Sequence, residues 1–146
     1  EENMFRRTDC HFSIRLEDIA EDEEYKVEVT NKLNAKDGRV YLDVEQPRVC
    51  IRGPEDRSRG DLGYPWLADE EVFPFYELRA AAVDLRSGEP FSRKETQRRV
   101  AAQLDTLAEA GVRHAVLSAF GCGAFRNPAA QVAAVYKEEL QKRAGD

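Results

Sequence analysis

Val100, Leu104, Leu107 and Ala108 recur at i, i+4, i+7 and i+8, the spacing of one apolar helix face. Ser92 stands where an N-cap is wanted, with Glu95 three residues on as in a capping box, and Gly111 supplies a stop. Val132, Val135, Tyr136 and Leu140 predict a second helix, with Asn127 as its N-cap and Pro128 in its first turn. Between the two helices, His114 to Phe120 is a near-continuous apolar run, which predicts a strand buried on both faces. Upstream, Val40 to Val44 alternates after the turn signal Asp37-Gly38 and predicts a strand. Arg48 to Arg52 predicts a second short strand closed by Gly53-Pro54, and Phe73 to Val83 a third that ends in small residues. Residues 53–65 read as a long polar loop, and the acidic run 17–25 as an exposed one. Residues 1–10 carry acids first and arginines later, the charge order that a helix dipole favours. Helix, buried strand, glycine loop and helix together predict an α/β fold, an open sheet with helices packed on it.

Composition narrows the class. At 146 residues the chain is the size of a single domain, read as spanning 1–146. With 42% hydrophobic and 34% charged residues it is neither a disordered tail nor a membrane protein, since no apolar run approaches the roughly 20 residues a span needs. The formal charge of −6 gives no general attraction to nucleic acid, so any phosphate must be held locally by a loop or a helix end. Cys10, Cys50 and Cys122 form no CxxC pair and read as reduced thiols of an intracellular, cytoplasmic protein. His11 and His114 are the only histidines, which argues against a histidine-based metal centre. No signal peptide is visible in the chain, which opens Glu1-Glu2-Asn3-Met4. The absence of an initiator Met leads to the expectation that a natural start has been removed.

The stretch Gly121–Asn127 carries the chemistry. It leaves the carboxyl end of the expected strand and enters a helix, the place where open α/β sheets bind ligands. Gly121 and Gly123 remove side chains, so backbone amides can approach a ligand, and the helix start adds unpaired N–H groups. The matching guest is a phosphate or diphosphate. The same two glycines also suit a tight turn with close helix–sheet packing, and spacing alone leaves both readings open. Phe125 suits either a nucleoside contact or a place in the core. Cys122 lies near a helix N-terminus, where thiol pKa values fall, but no histidine in sequence reach makes it a nucleophile. His114 reads as structural, and Tyr64 and Trp66 in the long loop suit packing or contact with a base.

The run Ser118-Ala-Phe-Gly-Cys-Gly-Ala-Phe-Arg-Asn127 resembles the GCG-x-F-x-N signature of microbial-type poly(ADP-ribose) glycohydrolases, a macrodomain family. Arg48-Val-Cys-Ile-Arg52 is similar to that family's V-x-V-F-R strand. Leu78-Arg-Ala-Ala-Ala-Val-Asp-Leu85 is similar to its strand ending A-A-P-D-L, with Val83 in place of proline. The opening Glu1-Glu2-Asn3-Met4-Phe5-Arg6-Arg7-Thr8 resembles the end of its catalytic Gln-Glu-Glu motif and the helix after it. The resemblance covers most of 48–140 and implies a three-layer α/β/α macrodomain-like sandwich with a mixed sheet, incomplete at its N-terminus. It implies an ADP-ribose-binding glycohydrolase that cleaves O-glycosidic ribose bonds of poly(ADP-ribose) or ADP-ribosyl conjugates. Glu2 would be the catalytic acid and Glu1 its companion. Gly121, Cys122, Gly123, Ala124, Phe125 and Asn127 would bind the substrate's diphosphate. Neither metal nor cofactor is implied, and the expected ligand is ADP-ribose or its polymer, bound by a monomer away from membranes. The alternatives are a non-catalytic ADP-ribose reader, and a structural domain whose glycine loop only packs. Apart from the resemblance, Glu1 and Glu2 are simply acids favourable at a helix start.

Overall fold

The computed structural model describes residues 2–13, 15, 18–21, 25–58 and 63–144. The described residues are mixed α/β, with α1 (Glu2–Arg7), α2 (Val27–Leu33), β1 (Tyr41–Cys50), β2 (Phe73–Arg79), α3 (Arg93–Glu109) and α4 (Ala129–Arg143). β1 and β2 pair in a two-stranded sheet. No helix among the described residues is long and apolar enough to cross a membrane. The chain gathers into two compact units, one of residues 1–26 and 43–77, the other of residues 27–42 and 78–146.

In the first unit, the end of β1 is the organising line. Asp9 N donates to the Val49 carbonyl and Ile51 N to the Arg7 carbonyl, and Asp9 Oδ1 accepts from Val49 N at 2.6 Å. On the other side, Leu67 N donates to the Ile51 carbonyl and Gly53 N to that of Pro65. Cys10 and Cys50 are buried in this unit, and burial raises the Cys10 thiol pKa. The two strands expected at 40–44 and 48–52 are thus one continuous strand over 41–50, because Glu45, Gln46 and Pro47, which separate them in sequence, stay extended. The expected acidic loop 17–25 falls partly outside the described residues. So do residues 59–62 of the expected polar loop; its remaining residues, 53–58 and 63–65, form no helix or strand.

The second unit is held by α3 against α4. Val100, Leu104, Phe120, Val132 and Val135 form its core, and Ala35, Val40 and Ala102 a smaller cluster. Ser92 Oγ accepts from Glu95 N at 3.2 Å, as the capping sequence predicts, and Gly111 adopts φ 69° beyond the last turn of α3. Arg98 and Arg99 reach out from α3: Arg98 donates to the carbonyls of Asn34 and Ala35, just past α2, and Arg99 to that of Ala81. β2 stops at Arg79, short of the expected Val83, because Ala81 N turns to the Leu33 carbonyl at 2.8 Å instead of a strand neighbour.

The strand expected at 114–120 does not form. Residues 112–119 run without turn or bend but enter no ladder, and Val116 is fully exposed. An apolar run becomes a strand only where another strand meets its backbone, and none among the described residues lies beside this one. His114, expected at the start of a buried strand, is accordingly exposed.

Candidate functional site

The glycine loop follows the buried Phe120 and closes on itself through three main-chain hydrogen bonds. Cys122 N donates to the Ala119 carbonyl at 2.9 Å, Arg126 N to that of Gly123 at 3.0 Å, and Asn127 N to that of Gly121 at 3.0 Å. Gly121 has φ 71°, a conformation that costs other residues dearly. A Cβ there would also collide with Ala82 and lie 2.6 Å from Asn127 Nδ2. Its role is therefore close packing. Gly123 differs: a Cβ on it would meet nothing within 4 Å, so the space over it is open.

Asn127 is buried, but it is not the N-cap of α4. Pro128 takes that position and offers no side-chain cap. The Asn127 amide instead donates to the Val83 carbonyl at 2.8 Å and to the Gly121 carbonyl at 3.1 Å. It staples the loop to the segment after β2, because its Nδ2 reaches the Val83 carbonyl and also serves as a second donor to the Gly121 carbonyl, which Asn127 N already bonds. Leu85 N completes the junction by donating to the Phe125 carbonyl at 3.1 Å.

These ties leave one part of the loop open. The N–H groups of Gly123, Ala124 and Phe125 meet no hydrogen-bond acceptor among the described residues. Gly123 and Ala124 are exposed. Three successive unpaired N–H groups make a concavity suited to an anion. Arg126 continues the loop at φ 60°, in the left-handed region.

Asp84, Arg86 and Phe125 border this loop. The Arg86 guanidinium lies 5.3 Å from the Phe125 ring centre and forms a 2.5 Å ion pair with Asp84. That hydrogen-bonded pairing holds the Asp84 carboxyl below the usual carboxylate range, and the charge of Arg126 adds to the effect. Phe125 is half-buried with a cation over its ring, neither a core residue nor a free aromatic face. Arg86 carried no signal in the sequence: it lies one residue past the similarity ending at Leu85, and its contact with Phe125 joins distant stretches of chain. Cys122 is half-buried, its sulfur 3.7 Å from the Phe120 carbonyl.

The other site candidates lie apart in the chain. Glu1 is outside the described residues, and Glu2 opens α1 in the first unit, its side chain likewise outside them. Tyr64 and Trp66 belong to the same unit. Trp66 is exposed with Arg52 3.8 Å over its ring, and Arg6 lies 6.0 Å from Tyr64. Among the described residues no cluster of His, Cys, Asp and Glu is arranged to hold a metal ion. No protein-family model, curated protein or solved structure matches the chain.

Proposed function

We propose that this protein is an ADP-ribose-binding glycohydrolase of macrodomain type, a three-layer α/β/α sandwich that cleaves O-glycosidic ribose bonds of poly(ADP-ribose) or ADP-ribosyl conjugates. The observation that carries the reading is the open N–H row of Gly123, Ala124 and Phe125 above a glycine with free space over it. Backbone donors of this kind suit a diphosphate, whose oxygens accept several hydrogen bonds at once. The ordered similarity of four segments to one family supports the same ligand.

Glycosidic hydrolysis passes through an oxocarbenium-like centre: the leaving oxygen takes up a proton, and a water forms the new bond to the anomeric carbon and loses one. In this reading the Glu2 carboxyl gives that proton as the general acid. Glu1 accepts hydrogen bonds from ribose hydroxyls and fixes the sugar. Diphosphate binding by the loop supplies remote binding energy that positions the scissile bond. Asn127, through its bonds to Val83 and Gly121, keeps the loop in shape.

Thermal unfolding with and without ADP-ribose tests the binding step. A ligand at about 100 times its dissociation constant stabilises the folded state by ~2.7 kcal/mol. For a chain of this size that is a rise in Tm of roughly 5–10 °C. No rise at saturating ADP-ribose ends the proposal and leaves the loop as packing. A rise without release of ADP-ribose from polymer makes the protein a reader.

A further inference from the structure

The bare N–H row of Gly123, Ala124 and Phe125 has a cation at its edge that comes from another stretch of chain. Leu85 N donates to the Phe125 carbonyl at 3.1 Å, which ties the backbone beside Arg86 to the loop. From there the Arg86 guanidinium reaches to 5.3 Å from the Phe125 ring centre. Asp84 occupies one edge of it: Nε donates to both carboxylate oxygens at 2.9 Å, and Nη2 to Oδ2 at 2.5 Å. Asp84 Oδ1 also accepts from Arg86 N at 3.0 Å, so one carboxylate holds both the backbone and the guanidinium. Nη1 meets no acceptor among the described residues, and the Arg86 side chain is 57% exposed. An exposed pair of this kind adds little to stability. What it does is keep the guanidinium beside the loop with a row of its N–H groups open. Arg126, the residue after the bare row, is exposed, and its charge also acts on Asp84. Two guanidinium groups thus share one carboxylate, which leaves positive charge at the loop of a chain whose formal charge is −6.

We infer that Arg86 is a second anion subsite beside the loop, and that it makes the loop select a diphosphate over a monophosphate. Three successive N–H groups suit the oxygens of one phosphoryl group. The open end of the Arg86 guanidinium, a planar fork of donors, suits the oxygens of the next. A lone phosphate fills the N–H row and leaves Arg86 unused; a diphosphate engages both. Asp84 is the positioning residue, since it orients the guanidinium through Nε and Nη2 and leaves Nη1 to the ligand. The Phe125 ring is the surface on which the cation rests. The inference rests on the reading of Gly123–Phe125 as a diphosphate loop, and adds to it the side chain that makes the second phosphate count.

Calorimetric titration at fixed ionic strength reads the outcome, with inorganic phosphate, inorganic pyrophosphate and ADP-ribose as probes of the full chain. The parent should bind pyrophosphate about tenfold or more tightly than phosphate. Arg86→Gln should weaken pyrophosphate and ADP-ribose about tenfold while changing phosphate by no more than about twofold, so the preference collapses. Arg86→Lys keeps the charge but not the fork and should restore only part of it. Because the pair is exposed, both variants should keep the circular dichroism and Tm of the parent. Pyrophosphate affinity in Arg86→Gln equal to that of the parent overturns the subsite, even where ADP-ribose binds both. So does a parallel weakening of phosphate and pyrophosphate, which would make Arg86 a support of the whole loop. ADP-ribose binding that pyrophosphate does not displace overturns the subsite and leaves the ADP-ribose reading in place. A pyrophosphate preference that depends on Arg86, with no binding of ADP-ribose, upholds the subsite and ends that reading.

Discussion

Asn127 Nδ2 stands 2.8 Å from the carbonyl oxygen of Val83, 44 positions earlier in the chain. The same nitrogen serves Gly121, so one buried amide joins the strap after β2 to the start of the glycine loop. Asn127→Ala should therefore destabilise the protein by about 1–3 kcal/mol, the cost of losing a buried amide and leaving the Val83 carbonyl without its donor. Asn127→Asp should cost at least as much, because a carboxylate oxygen would face two carbonyl oxygens. Chemical denaturation of the two variants checks both. An effect within experimental scatter for both would show that water replaces the amide without loss.

The two glycines should respond in opposite ways. Gly121→Ala puts a methyl group against Ala82 and Asn127 at a positive φ, and about 3 kcal/mol or more should be lost. Gly123→Ala meets open space and should change stability by no more than about 0.5 kcal/mol. If an anion sits over Gly123, the bulkier Gly123→Val should keep the fold but abolish the thermal shift with ADP-ribose. An undiminished shift in that variant would remove Gly123 from the binding surface.

Acid sensitivity should be set by two glutamates of the second unit. Arg98, with Arg99, holds the Glu95 carboxyl at about 2. Burial alone would raise Glu139, but hydrogen bonds from Lys142, Arg143 and Gln97 outweigh it and bring it to about 2 as well. Both folded-state values lie below the ordinary value of 4.5. The stabilisation they give is thus complete above the unfolded pKa and drains away as pH falls through the folded one. Unfolding free energy should fall steeply from about pH 4.5 to pH 2, by about 1–3 kcal/mol for the more enclosed Glu139. Glu139→Gln should flatten that slope while costing stability at pH 7. A parallel slope in parent and variant would mean that other carboxylates set the acid limit.

How much of the fold and the site was legible in the sequence depended on whether the cause was local. The cap of α3 is an example: Ser92 and Glu95 are three residues apart, and their bond forms as spacing predicts. The stop at Gly111 is equally local. Asn127 shows the opposite case. Its position before Pro128 suggests a cap, but the acceptors that take its amide come from Val83 and Gly121, and no local pattern tells a capping amide from a stapling one. α2 carried no helix signal in Val27–Leu33, which is β-branched at Val27, Val29 and Thr30 and buries no residue. Arg98 supports its C-terminal end from α3, donating to the carbonyls of Asn34 and Ala35. At 114–120 the apolar pattern gives the preference for burial but not the partner that would satisfy it. Within the glycine loop, sequence singled out the residues; which N–H groups stay open and which glycine must be glycine emerged only from the hydrogen bonds.

The catalytic part of the proposal turns on Glu2. If its carboxyl protonates the leaving oxygen, Glu2→Gln keeps the size and hydrogen-bonding reach of the side chain but removes the transferable proton. ADP-ribose affinity should then stay within a few-fold of the parent, since the proposal gives the diphosphate to Gly123–Phe125 and not to Glu2. Turnover of poly(ADP-ribose) should fall by about 10²–10⁴, the usual worth of a general acid. Glu1→Gln should behave differently, because a residue that holds ribose hydroxyls contributes before as well as during the reaction. It should raise KM as well as lower kcat. Measuring kcat and KM for release of ADP-ribose from polymer, beside a direct binding curve, separates the two roles. Undiminished turnover in Glu2→Gln would return the opening glutamates to a simpler part, acids that complement the N-terminal dipole of α1.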